Sequence, residues 1–210
     1  MYTLYYSPGA ASLAVHWMLI EIGAPHELVK LDLAAGEQRR PEYLALNPSG
    51  VVPTLVVDGT PMTECAAILL LLAERHPEAG FAPAAGAPAR MPYLQWMVHM
   101  TNTQQAAFRQ WFYAAGPAGE ENAERVKASM RPLIESGWDR VDAWLAAKGP
   151  YMAGDRVTAT DFMTTMLMRW SRNMPRPATD WPAIADYVAR MKLRPAFRRL
   201  YEVEGLTEWA

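Results

Sequence analysis

Between Pro77 and Pro92 the chain turns to proline, alanine and glycine, a composition that holds neither a continuous helix nor a strand ladder. That stretch divides the 210 residues into two parts with different hydrophobic rhythms, and so constrains the fold more than any single motif. The division expected is a first domain over 1–80, a linker over 81–90 and a second domain over 91–210.

The first part alternates strand and helix signals. Tyr2 to Tyr6 is a β-rich run that stops at Pro8-Gly9, and Ala11 to Ile22 carries Leu13, Trp17 and Ile20 at helical spacing up to Gly23. A second strand is expected over Glu27 to Leu33, then a short helix over Glu37 to Leu46 broken by Asn47-Pro48-Ser49-Gly50. Val51 to Val57, Asp58-Gly59 and Thr60 to Met62 read as a hairpin, and Ala66 to Arg75 as a closing helix. This order is a compact α/β unit whose first two strands are parallel across a helical crossover. Beyond the linker only helical patterns remain: Met91 to Tyr113, Glu120 to Ala147, Thr160 to Asn173, Trp181 to Met191 and Pro195 to Glu202. The second part is therefore expected to be an all-α bundle.

Composition narrows the function classes. The net charge of −2 is spread along the chain, so nucleic acid and anionic membrane surfaces are not expected partners. The opening MYTLYYSPGAAS has no basic segment followed by an apolar run, and Ala66 to Ala73 is too short to span a bilayer, so a cytoplasmic location is expected. Cys65 is the only cysteine, which rules out an internal disulfide and a dithiol redox pair. His16, His26, His76 and His99 have no ligand spacing, and no metal is expected.

Three segments carry chemistry. In Ser7-Pro8-Gly9-Ala10-Ala11-Ser12 a strand turns into a helix whose unpaired amides favour an anion; Ser12 reads either as a donor to that anion or as a capping residue, and Tyr6 as a further donor or as core. In Gly50-Val51-Val52-Pro53-Thr54-Leu55 the proline marks a strand start or a bend. A cis Val52–Pro53 bond would turn the Val52 backbone outwards to pair with an extended peptide, although a trans, purely structural proline is commoner on pattern alone. In Thr63-Glu64-Cys65-Ala66 the amides opening a helix suit a carboxylate and the Glu64 side chain suits an ammonium, the two ends of a free amino-acid head group.

The order Tyr6, Pro8-Gly9, Ser12, Val52-Pro53, Glu64-Cys65 resembles the N-terminal half of cytosolic glutathione transferases, closest to the bacterial beta class. Tyr151 to Asp161 looks like that family's helical-domain signature, with Thr158 and Asp161 as a capping box, and the likeness runs on to Arg194-Pro195 and Glu204-Gly205-Leu206. The resemblance implies a thioredoxin-like N-terminal domain, an all-α C-terminal domain, glutathione as cosubstrate without any further cofactor, and a homodimer. It also implies that Val52, Pro53, Glu64 and Cys65, together with Gln38 and Gln105, hold glutathione while Ser12 or Tyr6 assists its thiolate.

Departures from the class are equally specific. Ala11 stands where it carries a cysteine, Gly36 where it offers a basic residue and Gln105 where it has a histidine; Gln38, Arg39 or Arg40 is a possible replacement for the basic residue. The expected reaction is conjugation of the glutathione thiolate to a small apolar electrophile held by Phe108, Trp111, Tyr113, Met166 and Trp170, each of which reads equally as core. The alternatives are a non-catalytic protein that binds glutathione or apolar ligands on the same fold, and a specialised glutathione-dependent isomerase or peroxidase.

Overall fold

A computed structural model describes residues 1–209, Pro117 by its backbone alone. Its first part is a four-stranded sheet of β1 (Tyr2–Tyr6), β2 (His26–Lys30), β3 (Thr54–Val57) and β4 (Thr60–Met62) in the order β2-β1-β3-β4. β1 and β2 run parallel, Tyr2 opposite His26, while β3 is antiparallel to both β1 and β4. The crossover is α1 (Ser12–Glu21), which ends where Gly23 adopts φ +67°. Asp58 and Gly59 both take positive φ, the geometry of a two-residue hairpin turn, and Pro61 is tolerated because β4 is an edge strand.

The sheet's two faces are covered differently. Tyr2, Leu4 and Tyr6 point to one face, where α1 is buried all along Ser12 to Leu19 and α3 (Cys65–Arg75) contributes Ile68, Leu69 and Leu72. A helix apolar on every side, as α1 is, must be enclosed rather than laid on a surface. On the other face Leu31, Val52 and Tyr43, the last from the short α2 (Pro41–Leu44), form a small separate core with Tyr5 and Leu33. Strand β2 is shorter than its apolar run suggests, and β3 begins at Thr54 because the Val51–Pro53 segment leaves the ladder.

The remaining helices are α4 (Arg90–His99), α5 (Ala106–Phe112), α6 (Ala115–Ala118), α7 (Ala123–Lys148), α8 (Ala159–Trp170), α9 (Pro182–Lys192) and α10 (Pro195–Glu204). The single helix expected over Met91 to Tyr113 is interrupted by a π-helical turn, Met100–Gln105, which places Gln104 inside the bundle. α8 is buried from Ala159 to Arg169, and its start is held by the expected capping box of Thr158 and Asp161. Asp161 also accepts the Met152 amide at 2.9 Å and the Tyr187 hydroxyl at 3.1 Å.

By internal contacts the chain forms two units, Met1–Ala82 with Met191–Ala210, and Pro83–Arg190. The last twenty residues thus group with the sheet and not with the helical part to which the expected 91–210 boundary assigned them. Their apolar stripe explains this: Ala196, Phe197, Leu200 and Tyr201 of α10 are buried, and Phe197 meets Trp17 of α1 edge-on at 5.0 Å. Among the described residues no helix is long and apolar enough to cross a membrane.

Candidate functional site

The segment between β1 and α1 is a tight turn. Gly9 takes φ +70°, the Ala10 amide donates to Ser7 O at 3.1 Å, and the Leu13 amide donates to Ala10 O at 3.0 Å. The Ser12 hydroxyl donates to Ser7 O and accepts the Ser7 N–H, both at 3.2 Å, and Ser12 is fully buried. Its single hydrogen is therefore committed to the turn itself. Ala11, without a side-chain cap, precedes the helix, so the opening amides of α1, apart from Leu13 on Ala10 O, are left for partners from outside.

Tyr6 is buried with its ring 5.6 Å from that of His16, and burial together with the Glu204 charge raises its pKa, so the phenol keeps its proton. Glu204, named in the sequence only as part of the resemblance, takes a place beside this turn that the sequence reading did not assign to it. Buried at the end of α10, it accepts the Gly9 amide at 2.8 Å and takes His16 Nδ1 at 2.8 Å, so a carboxylate nearly two hundred positions away braces the turn. Its signal was there to find: Glu204 continues the buried stripe of α10 four residues beyond Leu200.

The Val52–Pro53 bond is cis, the less common of the two forms weighed from the pattern. The residue before it is fixed by a buried network. The Tyr43 hydroxyl donates to Val51 O at 2.6 Å, Asn47 Nδ2 donates to the same oxygen at 2.7 Å, and both reach Thr54 Oγ1. Burial raises the Tyr43 pKa, which keeps that donor protonated. Asn47 also accepts the Ser49 amide at 3.1 Å, and Gly50 at φ +59° closes the turn. Val52 is left with no described residue engaging its amide or its carbonyl.

Glu64 is exposed and holds φ +68° and ψ 104°, an unusual conformation for a residue with a side chain, immediately before the first residue of α3. The Cys65 thiol points inward and donates to Ala11 O at 3.2 Å, tying the start of α3 to the start of α1. Burial, with the Glu64 charge, pushes its pKa up to about 12, so it is a neutral structural thiol. Gln38 donates to Leu33 O at 3.2 Å and keeps a buried side-chain oxygen without a partner, while Arg39 donates to Ser49 O at 3.4 Å. Gly36, where a basic residue is absent, takes φ +75°. Tyr6, Ser12, Gln38, Val52, Pro53, Glu64 and Cys65 all belong to the sheet-bearing unit.

The second-substrate residues belong to the helical unit. Phe108 and Met166 are fully buried, Trp111 and Trp170 partly so, and Tyr113 is exposed. Phe112, absent from the sequence reading, is half exposed and lies 6.0 Å from both Phe108 and Trp170, so these rings form one aromatic cluster with an open side. Gln105 is half-buried in the π-helical turn. Nearby on the same long helix, burial and the charge of Arg140 lower the His99 pKa. Among the described residues no three His, Cys, Asp or Glu side chains are grouped to hold a metal.

Residues 10–75 match the family model described as glutathione S-transferase, N-terminal domain. A glutathione S-transferase of Xanthomonas campestris is 30% identical over 204 residues, covering 97% of this chain and 98% of its own. A sphingomonad glutathione S-transferase, solved in complex with glutathione, shares 32% identity at a TM-score of 0.83 and covers 98% of this chain and 100% of its own. A beta-class enzyme of Sphingomonas chungbukensis shares 30% identity at the same score of 0.83, again covering 98% and 100%. With the four-stranded sheet, the bent Val52–Pro53 segment and the strained Glu64 in place, this chain belongs to the glutathione S-transferase family of enzymes.

Proposed function

We propose that the chain binds glutathione as an extended strand along Val52, with the γ-glutamyl head at Glu64 and the opening amides of α3, and conjugates its thiolate to a small apolar electrophile. The observation that carries this reading is the Val52 backbone, an amide and a carbonyl with no partner among the described residues, in a segment locked by Tyr43, Asn47 and Thr54. Pairing two buried-edge backbone groups with a peptide gives affinity, and the Glu64 carboxylate opposite an ammonium gives direction. The unpartnered Gln38 oxygen is a further acceptor on the same unit.

The sulfur goes to the start of α1. A free thiol has a pKa of about 8.5, and the partial positive charge of a helix N-terminus lowers it by about one or two units, which makes the thiolate abundant near neutrality. Ser12 has its hydrogen on Ser7 O and Tyr6 is buried, so the opening amides of α1 carry the anion, and Ser12 positions the turn. The chemistry is then thiolate stabilisation plus proximity, with no covalent enzyme intermediate. Phe112, Tyr113 and Trp170 supply the apolar surface for the electrophile.

The test is turnover of an aryl halide with glutathione, with retention on immobilised glutathione scored in parallel. Turnover is expected; retention without turnover makes the chain a binding protein. Ser12→Ala and Tyr6→Phe are expected to keep kcat within about tenfold, consistent with donors that do not touch the sulfur. A fall of about a hundredfold or more, with the bound thiol's pKa raised, returns the catalytic donor to the hydroxyl.

We further propose a homodimer. Met91, Leu94 and Val98 recur along one side of α4 and all three are exposed, an apolar stripe suited to a second copy of the same helix.

A further inference from the structure

On the outer edge of the sheet-bearing unit, away from Val52 and Glu64 in sequence, β2, α1 and α10 line an open cavity of about 370 Å³. Its walls are largely apolar, with Ile20, Leu28 and Val203 among them, and three basic side chains line it: His16, His26 and Arg199. None of the three is assigned a contact with either substrate above, and His16 reaches the Gly9 turn only through Glu204.

The hydrogen bonds orient both imidazoles. His26 Nδ1 lies 2.7 Å from Ala24 O, which only accepts, so that nitrogen carries a hydrogen. His16 Nδ1 faces the Glu204 carboxylate in the same way. Each ring therefore keeps Nε2 with no partner among the described residues, and the two rings meet edge to face at 5.7 Å. His16 is almost completely buried, yet its Nε2 is not among the side-chain atoms sealed inside without a partner, so that edge is open to a ligand or to water. Among the described residues Arg199 has an exposed pairing with Glu202, at 3.2 Å on its own helix, and surface pairs of that kind are weak. Glu204, next to Val203, is already held by His16 and the Gly9 amide.

We propose that this cavity is a second ligand site, for a small aromatic carboxylate bearing a hydroxyl. The ring lies among Ile20, Leu28 and Val203, the carboxylate takes the Arg199 guanidinium in place of Glu202, and the hydroxyl donates to an imidazole Nε2. The site does not depend on where glutathione binds.

The probe is 4-hydroxybenzoate, titrated calorimetrically into the full chain at neutral pH. A dissociation constant of about 1 mM or tighter is expected, unchanged by saturating glutathione. Arg199→Ala, a change at an exposed position, is expected to weaken binding at least about fivefold, and Val203→Trp, which fills the cavity, to abolish it, both with glutathione turnover intact. The proposal is overturned by no binding up to about 10 mM, by equal binding in both variants, or by displacement with glutathione. Equal binding of 4-hydroxybenzyl alcohol removes the carboxylate from the assignment and overturns it as well.

Discussion

Glu64 and Cys65 sit side by side and do opposite things. The Glu64 carboxylate is exposed on a backbone that a side chain seldom adopts, whereas the Cys65 thiol is turned inward onto Ala11 O. If Glu64 faces the ammonium of glutathione, Glu64→Gln removes one charge-assisted hydrogen bond worth about 1.5–3 kcal/mol, so binding by calorimetry should weaken about ten- to a hundredfold with the thermal midpoint nearly unchanged. An unchanged dissociation constant would remove the head group from that position. For Cys65 the sign is simple. A thiol whose pKa is raised to about 12 is neutral throughout the physiological range, so alkylation of the native chain at pH 8 should be far slower than that of the unfolded chain, by mass spectrometry. Both residues could be singled out from Thr63-Glu64-Cys65-Ala66, but which of them faces solvent could not, because that depends on the backbone turning at Glu64.

At the scale of elements, the helical unit is organised by two close approaches. In the first, α7 passes the π-helical turn so closely that a Cβ on Gly137 would lie 1.9 Å from Gln104 Oε1, while Gln104 Nε2 donates to Ile134 O at 3.0 Å. Gly137→Ala should therefore destabilise the chain by about 1–3 kcal/mol in urea unfolding, and Gln104→Ala should relieve most of that cost in the double variant. Additive losses would mean that the two residues do not share this contact. In the second, Asp161 joins the Thr158 cap to Met152 and Tyr187. Asp161→Ala leaves those buried donors unpaired, and a loss of about 3 kcal/mol or more is expected by the same measurement. The capping box was visible in Thr158-Ala-Thr-Asp161, since its residues are local. The π-helical turn was not visible, because Met91 to Tyr113 keeps a helical rhythm throughout, whereas the partner that Gln104 of this turn meets, Ile134 O on α7, lies thirty residues away.

Over the whole molecule, the stripe of Met91, Leu94 and Val98 sets the expected assembly. Val98→Glu should convert a dimer to a monomer in sedimentation experiments, with the helical signal kept; a wild-type chain that sediments as a monomer would sink the assembly proposed here. Much of the rest was legible in advance. The Pro, Ala and Gly stretch announces two parts and the alternation of strand and helix announces the α/β unit, because both depend on local propensity and on the order of elements along the chain, while the motifs from Tyr6 to Cys65 imply a thiol peptide through the family they resemble. Only the tertiary structure decided that α10 returns to the sheet, that Glu204 braces the Gly9 turn, and that Ser12 spends its hydrogen on Ser7. Those facts arise from packing between segments far apart in sequence, where burial determines which polar atoms must find partners inside the chain and which are left for a ligand.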